Sequence, residues 1–211
     1  MPPTTVGDES SSAQVKTHPR TLCWTPVWNA AQRGVGLEHL LLSERAADSV
    51  LLAVDEQAGP FRLSYQLGWD DHWQLLEAHL HVRTDSSSRS LHLQTDGHGR
   101  WQQGDGRSIP ELEGCRDIDI WPTPFTNSFP LRRAPLAVGE RREFRMAWVF
   151  APDLTVVAQP QAYTRLAEAR YLFENLDGSG FRVELAVDES GIVLDYPELF
   201  HRVKCHEGAT R

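Results

Sequence analysis

Asp117 and Asp119 are the two residues whose types and spacing most directly suggest chemistry in this sequence. Successive side chains of a β-strand point to opposite faces, so on a strand these two carboxylates share one face. Such a pair could accept hydrogen bonds from the hydroxyls of a sugar, or serve as acid and base on a glycosidic bond. Two plainer interpretations stay open: a solvated strand face, or carboxylates neutralised by Arg132 and Arg133.

The histidines His79 and His81 form a second group of reactive side chains that would share one strand face. Imidazoles at this spacing could begin a metal site, but no third ligand is visible in the sequence. Glu77 and Arg83 fall on the same face and favour an exposed polar edge. We therefore predict no metal site.

The common catalytic and cofactor signatures do not occur in the sequence. It has no P-loop, no G-x-G-x-x-G, no G-x-S-x-G elbow, no H-E-x-x-H and no C-x-x-C motif. Cys115 could act as a nucleophile only beside a base, and we interpret it as a small buried apolar residue. We predict no cofactor. Enzymatic activity stays undecided, although the residues favour a non-catalytic protein.

Most of the chain alternates apolar and polar residues with a period of two, which is typical of half-buried β-strands. In the segment 77–83, for example, Ala78, Leu80 and Val82 alternate with polar neighbours. The Asp96–Gly97 pair between two such segments predicts a β-hairpin. Because turn signals recur about every 8–12 residues, we predict a mainly β protein with antiparallel pairing.

One segment breaks this pattern and predicts a short helix. Thr123 is a suitable N-cap, and Pro124 suits the first helical position, where a backbone N–H has no partner. Pro130 would end this helix. A second candidate helix lies around Tyr163 to Arg170, where several residues have good helix propensity.

The 211-residue chain carries a net charge of −8, from 29 acidic and 21 basic residues. Such a surface repels the phosphates of nucleic acids, so we predict no nucleic-acid partner. No segment approaches the roughly 18 apolar residues of a membrane span, and we predict no stable membrane insertion. Three cysteines without a C-x-x-C motif, and an N-terminus without a signal peptide, favour a cytoplasmic protein.

The two ends of the chain differ in composition from its middle. Residues 1–20 are rich in Ser, Thr and Pro, and they predict a disordered tail. Residues 21–205 form a single β-rich domain in this interpretation, and residues 206–211 form a frayed tail.

Collinear motifs extend from Trp28 to Val203. The densest of them runs from Leu112 to Ile120, through Thr123-Pro124-Phe125-Thr126-Asn127, to Pro130-Leu131-Arg132-Arg133. The others include Gly36-x-Glu38, Leu91-x-Leu93-x-x-Asp96-Gly97-x-Gly99-x-Trp101, Gly104, Gln161-x-Tyr163 and Leu185-x-Val187-Asp188-x-x-Gly191-x-Val193. Together they resemble the signature of the glycolipid-binding family, formerly a domain of unknown function.

This resemblance implies a fold and a function. The fold is a large antiparallel sheet, or β half-barrel, curled around a single short helix and assembled as a tight homodimer. It is remotely similar to lipoprotein-localisation factors. Phe125 and Phe129 of the short helix would plug the half-barrel and leave a cavity with apolar walls and an acidic mouth. The ligand would be a glycolipid or another amphiphile with a sugar headgroup.

The resemblance and the residue types together predict the ligand-binding residues. The predicted acidic wall and its amide neighbour are Glu38, Asp117, Asp119 and Asn127. Arg132 and Arg133 would neutralise these carboxylates or bind an anionic group of the lipid. Two alternatives stay open: a hydrolase or transferase that acts on glycolipids through Asp117 and Asp119, or a structural module whose function is its dimer surface.

Overall fold

A computed structural model describes residues 19–27 and 36–204 of the chain. Most of the predicted disordered tail lies outside these residues, as do Trp28, Cys205 and the predicted frayed end 206–211. The first strand begins at Arg20, which is the last residue of the predicted tail.

Fourteen β-strands are present in the described part of the chain. In chain order they are β1 (Arg20–Pro26), β2 (Leu37–Leu42), β3 (Ala46–Asp55), β4 (Gly59–Trp69), β5 (Leu75–Arg83), β6 (Ser88–Thr95), β7 (Trp101–Gln103), β8 (Asp117–Trp121), β9 (Arg141–Phe150), β10 (Thr155–Ala167), β11 (Arg170–Asn175), β12 (Arg182–Val187), β13 (Val193–Tyr196) and β14 (Phe200–Arg202).

The helical segments are short. A 3-10 helix covers Pro110–Leu112, and a second covers Phe125–Asn127 and leads directly into the α-helix α1 (Ser128–Arg133). None of the helices in residues 19–27 and 36–204 has the length and apolar character that crossing a membrane would require.

All fourteen strands belong to one sheet, in the order β7-β6-β5-β4-β3-β2-β1-β14-β13-β12-β11-β10-β9-β8. Neighbours pair antiparallel, except that β8 runs parallel to β9. The predicted mainly β half-barrel around a short helix is confirmed. The sheet is not a closed barrel, because β7 and β8 are its two edges and do not pair with each other.

Within individual strands, burial alternates as the alternating apolar and polar residues predict. In β3 every second residue from Ala47 to Ala53 is buried, and the residues between them are more exposed. The buried face of the sheet packs against the helical segment, where Phe125 and Phe129 are fully buried. The ring of Phe129 contacts the ring of Trp69 edge-on, with centroids 5.4 Å apart. Burial of each Phe side chain contributes about 1.5–3 kcal/mol to folding.

The hairpin predicted at Asp96–Gly97 is confirmed, because β6 and β7 pair antiparallel on either side of it. The predicted helix is also present, but it does not end at Pro130. Pro130 is the third residue of α1, and a backbone N–H in the first helical turn has no partner within the helix. The helix therefore continues to Arg133.

The second predicted helix, around residues 163–170, is wrong. These residues form the end of β10, its turn and the start of β11; Tyr163 and Thr164 pair with both β9 and β11, and the end of β10 pairs with β11. Tyr163 is buried there between the rings of Phe144 and Phe173, at centroid distances of 5.7 and 5.3 Å. Pairing on two sides and burial outweigh the modest helix propensity of the segment.

Candidate functional site

A cleft of about 1310 Å³ opens at one end of the half-barrel. From β4 to β10 across the sheet, each strand runs opposite to its neighbour. The start of β1 and the ends of β4, β10 and β12 therefore lie at the same end of the half-barrel. We call it the cleft end. The strand β8 starts there and runs away from it, and the segment from Thr123 to Arg133 then returns along the interior.

The cleft is lined by α1 and by the turns at the cleft end. Its charged residues are four arginines, Arg20, Arg132, Arg133 and Arg165, and four acidic residues, Asp71, Glu168, Asp188 and Glu189. Its apolar side chains include Leu131, Pro135, Tyr171, Val187 and Leu194. The lining therefore carries both signs of charge in equal number beside an apolar strip.

Arg132 connects α1 to the turn between β12 and β13 across this cleft. Its guanidinium group donates a hydrogen bond to the carbonyl oxygen of Ser190 and lies 4.6 Å from the ring centroid of Trp73. Trp73 in turn stacks on Trp69, with centroids 4.9 Å apart. Gly191 has a φ of +73°, and a Cβ there would lie 2.9 Å from Cδ of Arg132, so a glycine makes room for the arginine.

Arg133 forms a buried ion pair with Asp117 at the inner side of the cleft. Nε and Nη2 of Arg133 donate to Oδ1 and Oδ2 of Asp117 at 2.8 and 2.6 Å. Asp117 is fully buried and the Arg133 side chain is 13% exposed. Burial raises the pKa of Asp117, and the guanidinium group opposes this rise. The hydrogen bonds to Asp117 raise the pKa of Arg133.

Asp119 lies two residues after Asp117 on β8, further from the cleft. Its Oδ1 accepts a hydrogen bond from Thr126 Oγ1 at 3.2 Å, and its Oδ2 accepts one from Gln161 Nε2 at 2.6 Å. Burial raises the pKa of Asp119. The neighbouring Asn127 donates from Nδ2 to the hydroxyl of Tyr163 at 3.2 Å.

Glu38 lies near the opposite end of the interior and is fully buried. Its Oε1 accepts hydrogen bonds from Tyr65 Oη at 2.5 Å and from Ser49 Oγ at 2.9 Å. The Thr123 hydroxyl lies 2.9 and 2.8 Å from its two carboxylate oxygens. Burial raises the pKa of Glu38 to about 7, against the opposing effect of these hydrogen bonds.

The three predicted carboxylates thus lie at successive levels along the segment from Thr123 to Arg133. Each binds one side chain of that segment: Glu38 binds Thr123, Asp119 binds Thr126 and Asp117 binds Arg133. These hydrogen bonds connect the helical segment to the sheet. In the described part of the chain, none of the three carboxylates lines the cleft.

Of the six predicted site residues, the structure places only Arg132 and Arg133 in the cleft wall. Asp117 lies behind Arg133, while Asp119, Asn127 and Glu38 lie deeper. Most of the cleft lining was not predicted from the sequence, including Arg20, Trp73, Arg165 and Tyr171. A partial signal existed in the Asp188-x-x-Gly191 motif, since this turn forms one wall.

Cys115 is fully buried, and burial raises the pKa of its thiol to about 11. A thiol with so high a pKa stays protonated at neutral pH and is a poor nucleophile. This agrees with its interpretation as a small buried apolar residue.

An open β-sheet curled around a short helix, with a cleft beside that helix, defines the class of this protein as a plugged β half-barrel. The sequence pattern of the family described as "Putative glycolipid-binding" matches residues 25–202, and the chain belongs to this family. The crystal structure of a DUF1089 family protein from Pseudomonas aeruginosa, determined at 1.80 Å resolution, is similar to this chain. It shares 51% sequence identity and superposes with a TM-score of 0.78 over 80% of this chain and 92% of that one. No curated protein matches the sequence.

Proposed function

We propose that this protein binds an amphiphile with a sugar headgroup in the cleft beside α1. The observation that carries the proposal is the composition of the cleft, in which carboxylates and guanidinium groups lie next to an apolar strip. Membership of a family described as glycolipid-binding supports the same ligand class.

The chemistry of a sugar fits this lining. Sugar hydroxyls both donate and accept hydrogen bonds, so they need acceptors such as Glu189 and donors such as Arg132 within one space. Pro135 and Leu194 offer apolar area to the first part of an acyl chain, beside the buried side chains of Leu131 and Tyr171. A volume of about 1310 Å³ accommodates a headgroup together with part of a chain.

Binding is favoured over glycoside hydrolysis because of where the two candidate catalytic carboxylates lie. Asp117 is bonded to Arg133, and Asp119 is bonded to Thr126 and Gln161. Neither side chain lines the cleft, whereas an acid and a base must reach the scissile bond.

The test uses the full chain and two probes, a diacylglycerol that carries one glucose and the same diacylglycerol without the sugar. We expect the glucolipid to bind more tightly by calorimetry, and a total lipid extract to yield sugar-bearing species by mass spectrometry of the recovered protein. Ala169→Trp fills the cleft from an exposed turn, so we expect it to weaken binding at least about tenfold, or 1.4 kcal/mol.

Ala58→Trp is the matched control, because Ala58 is also exposed in a turn but lies outside the cleft lining. It should bind the glucolipid as the wild type does. Equal binding of both lipids, equal loss in both tryptophan variants, or no enrichment over an unrelated β protein would contradict the proposal.

Assembly as a homodimer is a second part of the proposal. The outer face of β2 and β3 supports it, because Leu37 and Leu52 lie opposite each other there and are 43% and 52% exposed. Val50, on the same face, is 41% exposed. We expect sedimentation velocity to find a dimer that Leu52→Arg dissociates and Gln57→Arg, in an exposed turn, leaves intact. A wild type that stays monomeric at every concentration sampled would refute this part.

A cytoplasmic location completes the proposal. Its support is the odd number of cysteines in the chain and the buried thiol of Cys115. Fractionation of cells that produce the protein would test the location, and recovery with the cytoplasmic fraction is the expected result.

A further inference from the structure

Three potential metal ligands meet on the outer face of the sheet, away from the cleft. Glu77 and His79 lie two residues apart on β5, and His92 lies on β6 directly opposite His79. One ligand atom from each of the three residues lies within 4.8 Å of the others. The His79 and His92 rings stack with centroids 3.8 Å apart, and His79 Nε2 is 3.4 Å from Glu77 Oε2.

Two glycines make room for this group. A Cβ on Gly104 would lie 2.0 Å from Nδ1 of His92, and the Gly104 N–H donates to the His92 carbonyl at 3.0 Å. A Cβ on Gly68 would lie 3.3 Å from Cγ of Glu77. The chain thus packs so closely on His92 that its ring is held in place.

His92 also has an unused ligand atom. Its Nε2 is buried and has no hydrogen-bond partner among the described residues. A buried nitrogen of this kind normally has a partner, and a metal ion is one that a neutral imidazole takes readily. This observation is independent of the spacing of the three side chains.

We propose that Glu77, His79 and His92 bind a divalent transition metal ion of the Zn²⁺ type. Two imidazoles and one carboxylate are a donor set that Zn²⁺ uses, and they leave at least one coordination position for water or another ligand. The distance of 3.4 Å from His79 Nε2 to Glu77 Oε2 is already close to the separation of two ligands on one tetrahedral Zn²⁺ ion.

Binding requires one movement. A ring nitrogen binds a metal in the plane of its ring, whereas the two imidazole planes are now nearly parallel, at 22°. His92 is held by Gly104, so the ring that turns is His79, whose side chain is 46% exposed. An exposed side chain changes rotamer easily.

No metal site is predicted from the sequence, because no third ligand is visible beside His79 and His81 on their strand. The register brings His92 opposite His79 and leaves His81 opposite Ser90. Nδ1 of His81 lies 2.9 Å from the Ser90 hydroxyl, so His81 has a different partner.

The test is a calorimetric titration of Zn²⁺ alone into the full, untagged chain, from which a chelator has first removed bound metal. We expect one ion per chain at this site. His79→Ala should weaken binding at least about tenfold, since loss of even an outer partner of a metal ligand costs that much. Glu77→Gln should also weaken Zn²⁺ binding. Both side chains are exposed, so both variants should fold as the wild type does.

His81→Ala is the matched control, because His81 lies on the same strand and the same face. It should bind Zn²⁺ as the wild type does. In nitrogen-correlated NMR spectra the imidazole signals of His79 and His92 should shift on Zn²⁺ addition, while those of His81 stay unchanged. Absence of binding, unchanged affinity in His79→Ala, or an equal loss in His81→Ala would overturn the proposal.

Discussion

Arg133→Met is expected to lower the free energy of unfolding by about 3–5 kcal/mol at neutral pH, because it leaves Asp117 buried without its cation. The Asp117 carboxylate is fully buried and takes both of its short hydrogen bonds from Arg133. Methionine keeps much of the apolar stem of arginine, so the loss reports the ion pair more than lost packing. Urea unfolding measures it directly.

The effect should depend on pH in a defined direction. Burial raises the pKa of Asp117 above its ordinary 3.8 already in the folded wild type, and loss of the guanidinium group, which lowers that pKa, raises it further in the folded variant. The unfolded state is the same in both proteins, so the deficit of the variant is smallest in acid, where both folded states hold the proton. It grows as the pH rises from the folded pKa of the wild type to the higher folded pKa of the variant. A deficit that shrinks with rising pH would contradict the assignment of the ion pair.

Two further variants isolate the pair. In Asp117→Asn with Arg133→Met neither charge remains, and we expect the double variant to be more stable than the sum of the single losses predicts. Arg141→Met removes the ion pairs of Arg141, which is 42% exposed, with Glu143 and Glu174, which are 64% and 25% exposed. Such a pair is worth about 1 kcal/mol or less. Equal losses in Arg133→Met and Arg141→Met would show that burial of the first pair has no energetic consequence.

The strands could be predicted from the sequence because each carries its own evidence. Alternation within segments such as 77–83 depends only on neighbouring residues, and the Asp96–Gly97 turn is a local signal. Thr123 and Pro124 are also a local signal, but the predicted start is one residue early, because the 3-10 helix begins at Phe125 with Pro124 at its N-cap position. The helix end predicted from Pro130 is wrong, because whether a proline ends a helix or fits its first turn depends on where the helix begins.

The candidate site could be predicted only in part, because its geometry depends on contacts between distant residues. The sequence correctly suggested that Asp117 and Asp119 share a face, but their separate partners depend on how the helical segment lies in the sheet. Glu38 binds Thr123, which is 85 residues away. The cleft itself is formed by turns that the strand order brings to one end, and the strand order has no local signal in the sequence.

The histidines illustrate the same limit on the outer face. The sequence showed His79 and His81 on one strand, but the nearest imidazole to His79 belongs to the neighbouring strand. Which residue lies opposite depends on the turn between β5 and β6 and on the register that it sets. A register one residue different would have moved His92 to the other face.

Glu38 should make the protein less stable as the pH rises through neutrality. Burial raises its pKa to about 7 in the folded protein, against an ordinary value of 4.5. The folded state therefore binds the proton more tightly than the unfolded state, and stability is highest below pH 4.5 as far as this group is concerned. This contribution of Glu38 to the stability is lost as the pH rises from 4.5 toward 7. Between pH 5 and pH 8 the loss should be about 2–3 kcal/mol.

Glu38→Gln is expected to remove this loss. The amide oxygen of glutamine can accept hydrogen bonds from Ser49 and Tyr65 as the protonated acid does, but it never ionises. Urea unfolding at pH 5 and at pH 8 gives the slope of the free energy of unfolding against pH. The difference between the slopes of wild type and variant separates the contribution of Glu38 from those of Asp117 and Asp119. Glu56→Gln, which removes a charge from an exposed residue, should leave the slope of the wild type unchanged. If Glu38→Gln kept that slope as well, the proton would reside elsewhere, and the hydrogen bonds of Ser49, Tyr65 and Thr123 would be holding Glu38 as an anion throughout this pH range.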